Sequence, residues 1–177
     1  MSPDTRSRLL ALLAVLLFIA LTSLYVFEFP VLSNTLGIGR LVVGSLIVAG
    51  LAAACVLWFW RERFKPWERH LPEILFITLF CPIFAPLAGS LLNRSLGKIE
   101  YQPFEFIAEM PYFASNYGLL KGEKLEPTGY FLTVRENGQG YRFKYKGQPY
   151  YPITKPGETI LLPVKKGLFG FRVVVLK

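Results

Sequence analysis

The chain has 177 residues, 53% of them hydrophobic and only 18% charged, with a formal net charge of +8 and a mean hydropathy of +0.39. That composition excludes a disordered protein and argues against an ordinary soluble domain, which averages about 45–50% apolar and about 25% charged. The positive balance suits an anionic partner such as lipid, nucleotide or nucleic acid. Cys55 and Cys81 both fall in apolar stretches, so neither a disulfide framework nor a zinc site is indicated.

Three charge-free apolar runs lead the chain, at residues 9–27, 41–60 and 74–92. Each has the length that crosses a hydrocarbon core of about 30 Å at about 1.5 Å per residue. The first run exceeds the usual core of a signal peptide and is followed by no clean small-x-small site, so it reads as a retained anchor. No ionisable residue lies within the three runs, and Thr22, Ser23, Ser45, Thr78 and Ser90 are their main polar groups. Without an intramembrane charge, a single copy shows no transport path.

Helix two carries a small-residue stripe, Ser45, Ala49 and Ala53, with Gly50 beside it. Small residues let helix backbones approach closely in lipid, either inside one chain or at a seam between copies. Helix three holds Pro82 and Pro86, each of which removes a backbone donor and kinks the helix.

Orientation follows the Lys and Arg balance. Arg6, Arg8, Arg61, Arg63, Lys65 and Arg69 lie on one side, and Arg40, Arg94 and Lys98 on the other. The richer side is cytoplasmic by the positive-inside rule. This predicts a multi-pass protein of the cell (inner) membrane with its N-terminus inside and its C-terminal part outside. Trp58, Trp60 and Trp67 flank the basic loop with Arg61, Arg63, Lys65 and Arg69, a membrane-interface pattern that favours anionic lipid.

After residue 93 the pattern turns to β: aromatic and β-branched residues alternate with charges between turn signals. The division expected is a transmembrane domain, 1–93, and an extramembrane β domain, 94–177. About six short strands are predicted, at residues 99–109, 130–136, 141–146, 150–153, 159–164 and 168–176. Together they suggest a small antiparallel barrel or sandwich. Pro103 breaks the first strand as a bulge or edge would. Residues 110–129 read as a long loop, and Asn137 to Gly140 as a hairpin loop. The last strand is apolar on nearly both faces, which predicts a central, covered position.

The clearest alternation is Tyr141-Arg142-Phe143-Lys144-Tyr145-Lys146. Period two sends the aromatics to one face and Arg142, Lys144 and Lys146 to the other. Such cations serve either as a solvated, aggregation-resistant edge or as an anion-contacting row, with Lys165 and Lys166 as further candidates. Aromatics with cations also suit stacking on bases, a reading reserved for a cytosolic domain.

Catalytic and metal signals are weak. His70 and Asp4 are the chain's one histidine and one aspartate, which speaks against a nucleophilic triad. No Cys/His cluster has metal spacing, and no cofactor is implied. Glu100, Glu105 and Glu109 would serve as acid and base only if paired; on a strand they read as exposed face residues. The leading expectation is a non-enzymatic integral membrane subunit. Its helices anchor and associate as a homo-oligomer or within a membrane protein complex, and its β domain binds a partner protein or senses a ligand. The alternative is an oligomeric membrane-disrupting or pore-forming effector gated by a small anionic ligand, such as a cyclic nucleotide, at a cytosolic basic-aromatic β domain. Its layout is similar in outline to that of antiviral effectors joining transmembrane helices to a ligand-binding barrel.

Overall fold

The computed structural model describes residues 3–113 and 127–176. Among them are three long helices, α1 (Pro3–Ser33), α2 (Ile38–Phe59) and α3 (Leu71–Ser95), and a single 3-10 turn at Trp67–His70. Five strands follow: β1 (Ile99–Tyr112), β2 (Gly129–Glu136), β3 (Gln139–Lys146), β4 (Thr159–Lys166) and β5 (Arg172–Val174). The chain forms two compact units, one of residues Met1–Pro30 and Gly39–Leu91, the other of Val31–Ile38 and Leu92–Lys177.

In the first unit all three helices are long and apolar enough to cross a membrane. Their outward faces carry large apolar side chains such as Val48, Leu51, Phe59 and Leu79, more contiguous apolar surface than a water-soluble monomer tolerates. Two points differ from the sequence reading. The first helix does not stop at residue 27 but continues to Ser33 and takes in Pro30. It therefore takes in Glu28, which is only 2% exposed and accepts the Ser90 hydroxyl at 2.8 Å. The expectation of spans without an ionisable residue is thus wrong. A carboxylate need not end an apolar helix when a second helix supplies a donor. Gly89 is where α3 meets α2, since a Cβ there would collide with the Ser45 hydroxyl.

The second unit is an antiparallel sheet of order β3-β2-β1-β4-β5, curled nearly into a barrel. The strand predicted at 150–153, fourth of the six, is absent; Tyr150 and Tyr151 instead donate their backbone N–H groups to the Glu109 carboxylate at 3.1 and 3.0 Å. The last strand is short and lies at the sheet's edge, not at its centre. Residues 167–170 form a turn closed by Gly170 N–H on the Gly167 carbonyl, and Gly170 takes φ +80°, which an extended strand cannot accommodate. The β2–β3 hairpin turns on two residues rather than four: Asn137 and Gly138, at φ 50° and 80°, the left-handed pair that a tight hairpin requires.

β1 runs to Tyr112, beyond the predicted end, and its bulge lies between Phe106 and Ala108 rather than at Pro103. Pro103 pairs with Leu161 of β4, in a stretch of β1 ahead of the register shared with β2, which begins at Glu105. Its missing donor therefore interrupts no ladder on that side. Residues 114–126 of the predicted loop lie outside the described residues.

What closes the curl comes from another part of the chain. The Val31–Ile38 connection between α1 and α2 lies along both free edges of the sheet. On the β5 side, Val174 N–H donates to the Asn34 carbonyl and Leu36 N–H to the Arg172 carbonyl, with Thr35 bridged to Val173. On the β3 side, the Asn34 side chain donates to the Lys144 carbonyl and accepts from the Lys144 N–H, both at 3.0 Å. An amide side chain thus substitutes for a neighbouring peptide group. Leu36 packs into the core with Phe104, Phe106, Leu132, Val134, Phe143, Ile160, Leu162, Val164 and Val174.

Candidate functional site

The curled sheet is filled with side chains, as small barrels are, and each end of its interior is polar. At one end Arg172 of β5 makes a bidentate ion pair with Glu136 of β2, both bonds 2.7 Å, and donates to Gln102 of β1 at 2.8 Å. The Glu136 bonds hold the Arg172 guanidinium above its ordinary range. At the other end Glu109 accepts the Tyr145 hydroxyl and the two N–H groups of Tyr150 and Tyr151. Burial, and then the Glu109 bond, push the Tyr145 phenol well up. Burial raises Tyr151 as well, with the Glu109 charge adding to it. Polar ends and an apolar middle turn attention to the outer wall.

On that wall Arg142, Lys144 and Lys146 project from β3, while Phe143 and Tyr145 between them are buried and Tyr141 is half-buried. The register sets their surroundings. Arg142 faces Thr133, Lys144 faces Phe131 and Lys146 faces Gly129 on β2. Beyond them on β1 stand Ala108, Met110 and Tyr112. None of these six is acidic. The Arg142 guanidinium sits 3.8 Å from the centre of the Phe131 ring and the Lys144 ammonium 4.1 Å from that of Tyr112, within cation–π range. Gly129 makes room for this, since a Cβ there would lie 2.7 Å from the Tyr112 ring and collide with the Tyr145 carbonyl. The rings fix the cations in place while leaving their outer sides exposed. Glu105, further along β1, is paired with Arg135 at 3.4 Å.

The other sequence candidates lie apart from this row. Lys165 and Lys166 sit at the end of β4 and pair with β5; β2 and β1 separate β4 from β3. In the helical unit Ala49 and Ala53 are buried, Ser45 meets Gly89, and Gly50 is exposed with open space around it. Pro82 and Pro86 lie inside α3. Trp58, Trp60, Arg61, Arg63, Lys65, Trp67 and Arg69 are exposed. Arg61 and Arg63 lie over the Trp58 and Trp60 rings, at 5.2 and 5.9 Å, and Lys65 pairs with Glu62 at 2.9 Å. Glu100, Glu105 and Glu109 do not converge: Glu105 is on the outer wall and Glu109 is at one end of the interior. Among the described residues no group of three His, Cys, Asp or Glu side chains is arranged to hold a metal ion.

Sequence reasoning missed Glu28, Asn34 and Glu109 as organising residues. Only Glu28 left a signal, as an acid just past the charge-free run of residues 9–27. In comparisons with known proteins, no family model, curated protein or solved structure matches the chain.

Proposed function

We propose that the protein is a non-enzymatic integral membrane subunit whose helices anchor and associate, and whose β unit recognises an anionic partner through Arg142, Lys144 and Lys146. The observation that carries this reading is the row itself: Arg142 and Lys144 held over rings, Lys146 exposed beside them, and no acidic residue at the adjoining positions of β2 and β1. A cation held by an aromatic ring loses less side-chain freedom when it meets an anion. Long-range attraction from an unopposed row also speeds encounter with acidic surfaces. The charge count around the helices favours an N-terminus in the cytoplasm and a β unit on the far face of the inner membrane. An acidic protein surface is then a better partner than a nucleotide.

The test uses the full chain in nanodiscs of neutral lipid and an oligo-glutamate peptide as probe. Capture is expected to weaken steeply with salt. In the Arg142→Gln, Lys144→Gln, Lys146→Gln variant it is expected to fall at least tenfold. Equal capture by wild type and variant sinks the reading.

A pore-forming or membrane-disrupting effector gated at a cytosolic β unit is the second reading. What favours it is Glu28, a buried carboxylate in an apolar helix, since ionisable groups at membrane depth are costly and are kept for use. Its discriminating observation is a cytoplasmic position of Lys177 together with toxicity on overexpression that Glu28→Gln relieves.

A further inference from the structure

The turn between β4 and β5 has two large apolar side chains at its tip. Leu168 is 53% and Phe169 52% exposed, and neither takes part in the barrel core. What fixes this tip is Asn93, in the last turn of α3 and only 1% exposed. Its backbone carbonyl accepts the Leu168 N–H at 2.7 Å. Its side chain accepts the Phe169 N–H and donates to the Phe171 carbonyl, each at 3.1 Å. Gly167 permits the approach, because a Cβ there would collide with Asn93. The last carbonyls of a helix lack partners within it, and here the turn supplies one. The turn and the end of α3 are therefore one hydrogen-bonded piece, inside the second unit.

That contact sets a depth. The apolar run of α3 ends at Leu92 and the helix itself at Ser95. Asn93 is two residues short of that end, about 3 Å along the axis at about 1.5 Å per residue. The headgroup region adds roughly 5–7 Å to each side of the hydrocarbon core. With α3 spanning the bilayer, the backbone of the turn bonded to Asn93 comes to the level of the acyl–headgroup boundary. Leu96 and Ile99, at 60% and 54% exposed, continue the apolar surface just past the helix. Lys98 and Lys166 are exposed beside them, and Gly97 lies against the Lys166 backbone. Apolar tips with lysines next to them match the chemistry of a phospholipid interface.

We propose that the β4–β5 turn is a bilayer anchor: Leu168 and Phe169, with Leu96 and Ile99, insert at the phospholipid interface and seat the β unit on the membrane surface. The proposal rests on the reading that α3 spans. It assigns Lys166 to lipid headgroups, and leaves the opposite end of the barrel, with Tyr150 and Ile153, facing water.

Nitroxide accessibility in the full chain tests it. Cys55→Ala and Cys81→Ala give a cysteine-free background. Single labels are then placed through Phe169→Cys, Ile153→Cys and Val48→Cys in phosphatidylcholine bilayers, and collisions with oxygen and with a nickel chelate are compared. The oxygen-to-nickel ratio at Phe169→Cys is expected to be several-fold above that at Ile153→Cys, whose native side chain is 91% exposed, and to approach that at Val48→Cys in α2. A lipid-like ratio at Val48→Cys with a water-like one at Phe169→Cys overturns the anchor and leaves the spanning reading intact. Water-like ratios at both positions overturn the two together.

Discussion

The Glu109 carboxylate accepts one phenol and two backbone N–H groups, so a single side chain on β1 holds the loop that follows β3. A carboxylate can take all three because it has about four acceptor sites. In Glu109→Gln the amide turns a donor toward other donors, which is expected to cost about 1–3 kcal/mol of stability, read from urea midpoints. The pH dependence follows from Tyr145, whose phenol is held above the ordinary value of about 10. A raised folded value means that the native state keeps the proton longer than the unfolded chain does. Its contribution is therefore full below about pH 10 and is lost as pH climbs from there through the folded value. Wild-type stability should fall in that alkaline window more steeply than that of Tyr145→Phe. In Glu109→Gln, tyrosinate absorbance assigned to Tyr145 by difference from Tyr145→Phe should appear at lower pH, while burial keeps it above an exposed phenol. An unchanged titration in Glu109→Gln would rule out Glu109 as a contributor to the shift.

At the scale of elements, the piece that behaves least as its sequence suggests is the connection between α1 and α2. Asn34 joins the β3 edge through its side chain and the β5 edge through its backbone. Asn34→Ala deletes two bonds to Lys144 and is expected to destabilise the β unit by about 1–3 kcal/mol. Amide exchange should rise at Lys144 while Leu132, deep in the central ladder, stays protected until global unfolding. Equal exchange in wild type and variant would show that the bridge does not hold the seam. Nothing local marks Asn34 for this work, because its partner lies 110 residues away. By contrast, the apolar runs and the alternation over 141–146 are local signals, and they placed the helices and the inward aromatics of β3 well. The rings beneath Arg142 and Lys144 were out of reach because they depend on register with β2 and β1. The ends of elements were misplaced where one residue outweighs the pattern: Glu28 with its Ser90 partner extends α1, and Gly170 cuts the last apolar strand short.

For the whole molecule, the consequence is that the β unit is not a contiguous C-terminal piece. It consists of Val31–Ile38 together with Leu92–Lys177, and Leu36 belongs to its core. A fragment of residues 92–177 lacks that side chain and leaves β3 and β5 as open edges, which invite pairing with other chains. Losing a buried leucine alone costs about 2–5 kcal/mol. The fragment is therefore expected to be markedly less stable to urea than the same unit in the full chain, and to self-associate in size-exclusion chromatography. Fusing residues 31–38 to its N-terminus through a flexible glycine–serine linker should restore both monomeric behaviour and most of the midpoint. If the fragment without them is as stable and as monomeric as the fusion, the connection is an ornament on a self-sufficient sheet. If the fusion is needed, then α1 and α2 are both covalently attached to a structural part of the barrel.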